Sequence, residues 1–77
     1  MPSQDRIISI ISWVANVPPT NIQASTHLKD DLEMDSLDIM LLITKLENIY
    51  QVRLSTDEIE KIETVQDANR FFSKVLS

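Results

Sequence analysis

Asp35-Ser36-Leu37-Asp38-Ile39-Met40-Leu41-Leu42-Ile43-Thr44-Lys45-Leu46-Glu47-Asn48-Ile49-Tyr50 is the stretch whose reading decides the fold. Ile39, Leu42, Ile43, Leu46, Ile49 and Tyr50 recur at i, i+3, i+4, i+7 spacing, which gives a helix with a core-facing stripe. Asp35 has the chemistry of an N-cap. Asp38 falls at the third helical position, where a carboxylate also complements exposed N–H groups. Ser36 therefore sits on the first turn, its hydroxyl directed out of the protein beside a helix N-terminus whose partial positive charge suits an attached phosphate. Leu37, Met40 and Leu41 lie on the side adjacent to the stripe, either as the edge of a wide core face or as an exposed apolar contact.

Working outward, Ile7, Ile8, Ile10, Ile11 and Val14 recur at helical spacing until Val17-Pro18-Pro19, which cannot continue a helix, so the first helix ends near Asn16. Residues 17–34 are rich in Pro, Asn, Ser, Thr and Asp and read as a long ordered loop pinned by Ile22, Leu28 and Leu32. A loop of that length is unusual unless it has a task. Ser55 with Glu58 makes a capping box for a short helix over about 56–62, and Thr64 with Asp67 resembles another for residues 65–76. Val65, Ala68, Phe71, Phe72, Val75 and Leu76 form the last apolar face, with Arg70 and Lys74 toward its C-terminal end to complement the dipole. The fold class expected is all-α: a four-helix bundle of three longer helices and one short one, with the long loop between helices one and two. Residues 1–77 form one domain.

Composition excludes several kinds of function. The chain has no cysteine, hence no disulfide, thiolate metal site or thiol nucleophile of its own, and no glycine, hence neither a P-loop nor a dinucleotide fingerprint. Seven basic residues against twelve acidic ones leave a net charge of -5, the wrong sign for a nucleic-acid partner and the right one for partners with basic patches. The acids gather in two groups: Asp30, Asp31, Glu33, Asp35 and Asp38 around Ser36, and Asp57, Glu58, Glu60, Glu63 and Asp67. No segment approaches the roughly 20 apolar residues of a membrane span, and Met1–Arg6 lacks a basic region leading into an apolar run, so a cytoplasmic monomer without membrane insertion is expected.

Ser36 lacks the surroundings of a catalytic nucleophile, since the one histidine, His27, stands in the preceding loop without an elbow or triad context. His27 reads as a surface or loop-packing residue. Asp31, Glu33 and Asp35 have the alternation of a calcium loop, but Ser36 stands where glycine is required and Leu42 where a bidentate glutamate is required. No catalytic residue and no metal site are assigned.

The run Asp31-Leu32-Glu33-Met34-Asp35-Ser36-Leu37-Asp38 resembles the modification site of acyl carrier proteins. The likeness continues through the following apolar helix, Tyr50-Gln51-Val52-Arg53-Leu54, an acidic short helix and Thr64-Val65-Gln66-Asp67-Ala68, over roughly residues 3–76. It implies that Ser36 carries a covalent 4'-phosphopantetheine arm from coenzyme A, installed by a Mg²⁺-dependent phosphopantetheinyl transferase. The arm's thiol would hold acyl intermediates as thioesters for fatty-acid or related lipid biosynthesis, with acyl-processing enzymes docking through basic patches. It also implies partner recognition by Asp35, Leu37, Asp38, Met40 and Glu47, while Ile43, Leu46, Ile62, Ala68 and Phe71 are candidate linings for the acyl chain.

Departures from the family pattern are as informative. Glu33 replaces the glycine common just before the serine motif, Leu41 and Asn48 occupy positions often acidic in fatty-acid carriers, and Lys45 places a positive charge on the recognition helix. Two other readings follow: a carrier dedicated to a polyketide, aminoacyl or specialised lipid intermediate, and an unmodified helical interaction module.

Overall fold

The computed structural model describes residues 4–76, with side chains to residue 73. Four helices run in the order α1 (Gln4–Ala15), α2 (Ser36–Tyr50), α3 (Thr56–Glu60) and α4 (Val65–Leu76), as expected for an all-α bundle with one short member. The side chains of Lys74, Val75 and Leu76, assigned above to the last helix, lie outside the described residues. α1 packs on both α2 and α4.

Each of the last three helices opens with side chain and backbone exchanging hydrogen bonds. Asp38 N–H donates to Asp35 Oδ1 at 2.8 Å and Asp35 N–H to Asp38 Oδ2 at 3.3 Å. Ser55 and Glu58 repeat the exchange for α3 at 3.2 and 2.9 Å, and Thr64 and Asp67 repeat it at the start of α4, both at 3.1 Å. These bonds satisfy N–H groups that a helix start leaves without partners.

Asp67 Oδ2 also accepts the Glu63 N–H, at 3.1 Å. Burial raises the Asp67 pKa, but the N–H donors of Glu63 and Thr64, the Thr64 hydroxyl and the Arg70 charge together outweigh it and leave the group below the ordinary aspartate value of 3.8. Arg70, 3.9 Å from Asp67, is thus engaged with the start of α4 rather than its end.

Helix ends meet the absence of glycine differently. Asn16, after α1, and Gln51, which caps α2, adopt left-handed conformations with φ of 58° and 56°. A third left-handed residue, Glu33 with φ 55°, stands in the loop at the position where the carriers the sequence resembles commonly have glycine. The turn there sends Met34 into the core, 4% exposed, and brings its N–H 3.0 Å from the Leu28 carbonyl.

The core takes Ile7 and Ile11 from α1, Ile39, Leu42, Ile43 and Leu46 from α2, Leu54 and Ile62 from either side of α3, and Val65, Ala68 and Phe72 from α4. The long loop contributes Ile22, Leu28 and Met34, while Leu32 is half-buried against them. Three expected core positions are displaced. Ile49 is 39% exposed and Tyr50 half-buried because the stripe outruns its cover at the end of α2, and Phe71 is half-buried beside the fully buried Phe72.

The loop contains a single 3-10 turn, Pro19–Asn21, and is sewn by its backbone to the α3–α4 connection. Leu28 N–H donates to the Glu63 carbonyl at 2.9 Å, Val65 N–H to Thr26 at 3.1 Å and Gln66 N–H to Ala24 at 2.9 Å, with His27 and Thr64 forming an isolated antiparallel bridge. This seam pairs the peptide groups of Ala24, Thr26 and Leu28 in a segment that has almost no regular structure.

Candidate functional site

Ser36 is the first residue of α2 and is exposed. Its hydroxyl makes no hydrogen bond with the described residues. The reciprocal cap formed by Asp35 and Asp38 fixes the backbone on both sides of it.

A cleft of about 200 Å³ opens beside the serine, with Ile39 and Met40 from α2, Ile59 and Glu60 from α3, Ile62 and the loop residue Lys29 in its walls. An adjoining cleft of about 280 Å³ shares Lys29, Ile39, Glu60 and Ile62 and reaches His27 and Glu63. Together they make a groove leading from Ser36 between the loop and α3, with an apolar floor and charged rims. Sequence reasoning missed Lys29, Ile59 and Glu60. The one available signal was that Lys29 is the sole Lys or Arg between Arg6 and Lys45.

Of the residues expected to meet partners, Leu37 is 70% exposed and Met40 48%, and Leu41 beside them is 58% exposed. This resolves them as an outward apolar face rather than the edge of the core. Asp35 is exposed and Asp38 half-buried, both held in the cap. Glu47 has a structural duty: it is half-buried, its Oε2 accepts the Leu54 N–H at 2.8 Å, and its carbonyl accepts the N–H groups of Gln51 and Val52. It holds the α2–α3 connection. Lys45 Nζ lies 3.9 Å from the centroid of the exposed Trp13 ring, a cation–π contact that ties α2 to α1.

The candidate acyl linings divide. Ile62 lines both clefts, whereas Ile43, Leu46 and Ala68 are fully enclosed in the core and Phe71 packs on its edge. His27, expected as a surface residue, is exposed; its backbone N–H donates to Asp31 Oδ2 at 2.8 Å and its ring Nδ1 lies 3.7 Å from the same oxygen. Among the described residues no group of His, Asp or Glu has the arrangement of a metal site, and no helix is long and apolar enough to cross a membrane.

Comparison with known proteins places this geometry. The family described as "Phosphopantetheine attachment site" matches residues 5–71. The curated acyl carrier protein of Acidothermus cellulolyticus is 34% identical over 62 residues, covering 80% of this chain and 74% of that one. A solved structure of a provisionally assigned acyl carrier protein from Mycobacterium tuberculosis superposes with a TM-score of 0.83 at 29% identity, covering 97% of this chain and all of the other. Proteins of this kind work with a phosphopantetheinyl transferase and acyl-processing enzymes. A free hydroxyl at a rigid helix start, beside an open groove, fits the group they carry. On the length of the match and the agreement of the fold, the chain belongs to the acyl carrier family, whose cofactor is covalently attached 4'-phosphopantetheine.

Proposed function

We propose that Ser36 is the attachment point and that the chain, a single carrier domain over residues 1–77 without catalytic residues of its own, serves fatty-acid or related lipid biosynthesis in the cytoplasm as a monomer. The observation that carries the assignment is the Ser36 hydroxyl: exposed, without a hydrogen bond to the described residues, and set directly after the Asp35–Asp38 cap at the mouth of the groove. When bound, the arm supplies a thiol for thioester formation. The chain's own residues present it: the cap holds the serine, the groove offers apolar surface, and Leu37 and Met40 offer contacts that Asp35 helps steer toward partners with basic patches.

The test is intact mass after incubation with coenzyme A, Mg²⁺ and a broad-specificity transferase. A gain of one phosphopantetheine is expected in the parent and none in Ser36→Ala, whose circular dichroism should match the parent. Arm found instead on Ser25 or Ser55 would overturn the assignment. No gain in the parent would favour an unmodified interaction module.

A carrier dedicated to a specialised lipid, polyketide or aminoacyl intermediate is the second reading. It is favoured by the outward face of α2, where exposed Leu37, Met40 and Leu41 run up to Lys45. Such a face suits a partner less basic than those of strongly acidic carriers.

A further inference from the structure

Asp30, Asp31, Glu33, Asp35 and Asp38 crowd the chain on both sides of Ser36. A phosphodiester on that serine would add one more negative charge to the group. The start of α2 offers it limited relief, because the N–H groups of Asp35 and Asp38 already serve carboxylates. A nearby cation is therefore needed to hold the phosphate in one place.

Among the described residues that line the cleft beside Ser36, one carries a positive charge. Lys29 is the single Lys or Arg between Arg6 and Lys45, and it lines the same cleft as Ser36. Its backbone is positioned by the seam: the neighbouring Leu28 is fully buried, with its N–H 2.9 Å from the Glu63 carbonyl. The Lys29 ammonium forms no hydrogen bond or ion pair with the described residues. Glu60 is the one carboxylate in the walls of that cleft, and it is not within ion-pair distance of Lys29.

We propose that Lys29 is a positioning residue for the arm: its ammonium binds the phosphodiester on Ser36 and directs the arm into the groove between the loop and α3, over Ile39 and Ile62. This rests on Ser36 being the attachment point. An ammonium on a flexible stem acts as a mobile point charge and reaches a phosphate without a fixed fork, so arginine should replace it and alanine should not.

The experiment uses the modified full chain, with the site of the arm first located by peptide mapping, and reads the phosphorus nucleus by NMR in the parent, Lys29→Ala and Lys29→Arg. At low salt the parent and Lys29→Arg should share a phosphorus shift, whereas Lys29→Ala should depart from it and its transverse relaxation rate should fall about two-fold as the arm gains freedom. The gap between parent and Lys29→Ala should close near 1 M salt, where the Debye length is about 3 Å. Lys29 is exposed and outside the core, so circular dichroism should be unchanged in both variants. Arm on Ser36 with identical shift and relaxation in parent and Lys29→Ala would overturn the inference alone. Arm mapped to another residue would overturn the attachment reading and the inference with it.

Discussion

Glu33 gives the sharpest quantitative test of the fold around the serine. Its φ of 55° places a side chain with a Cβ in the left-handed region, at the turn that buries Met34 and pairs its N–H with Leu28. That conformation costs a non-glycine residue roughly 1–2 kcal/mol. Glycine would remove the cost but adds about 0.4–1 kcal/mol of unfolded-chain entropy to be lost. Glu33→Gly should therefore stabilise the protein by about 0.5–1 kcal/mol. For a chain of 77 residues this corresponds to a rise in Tm of about 2–8 °C. Removing a carboxylate from among Asp30, Asp31 and Asp35 would also relieve repulsion, so Glu33→Ala is the necessary control: it loses the same charge and keeps the Cβ. Urea and thermal unfolding followed by circular dichroism decide the matter. Glycine should exceed alanine by most of the predicted gain, at low and high salt alike. Equal stability of the two variants would refute the backbone argument and leave only charge repulsion.

Other outcomes follow from the same structure. Asp35→Ala should cost about 1 kcal/mol through loss of the cap and should slow modification by the transferase; unchanged stability and rate together would show that Asp35 is neither cap nor recognition residue. Lys45→Glu removes the cation 3.9 Å from the Trp13 centroid, so the emission of the chain's only tryptophan should change. The same substitution should raise the association rate with a basic-patched partner, a gain that shrinks with salt, and an unchanged rate across a salt series would count against this face as the docking surface. Asp67, held below 3.8 in the fold, contributes stability that is present above that pH and lost as pH falls through the lower folded-state value. Asp67→Asn should accordingly be less stable at neutral pH and show a flatter loss in acid; parallel acid unfolding curves for parent and variant would contradict it.

What could be read from the chain was local chemistry. Asp35 with Asp38, Ser55 with Glu58 and Thr64 with Asp67 announce helix starts because donor and acceptor lie three residues apart, and all three exchanges are present. The position of Ser36 followed from the first of them. Periodicity gave the phase of each buried face but not how far its cover extends, which is why Ile49, Tyr50 and Phe71 were assigned more burial than they have. Phase also could not decide whether Leu37, Met40 and Leu41 faced inward, since that depends on where α1 lies. The groove was illegible because Lys29, Ser36, Glu60 and Ile62 meet only through the seam between the loop and the α3–α4 connection. The structural bond of Glu47 was illegible for a related reason: its contact with the Leu54 N–H spans a turn whose path has no side-chain signature.

That seam is made by peptide groups, and peptide groups are common to every residue except in part proline. The exposed side chains above it, His27, Glu63 and Gln66 among them, can be exchanged for others without loosening the loop. The proposed attachment point and the surface identity of the rim are thereby separated along one edge of the molecule. A library that varies those positions while sparing buried Leu28 and Val65 should keep its folded members in large majority, and the groove rim could be retuned for a new cargo or partner without rebuilding the platform that presents the serine.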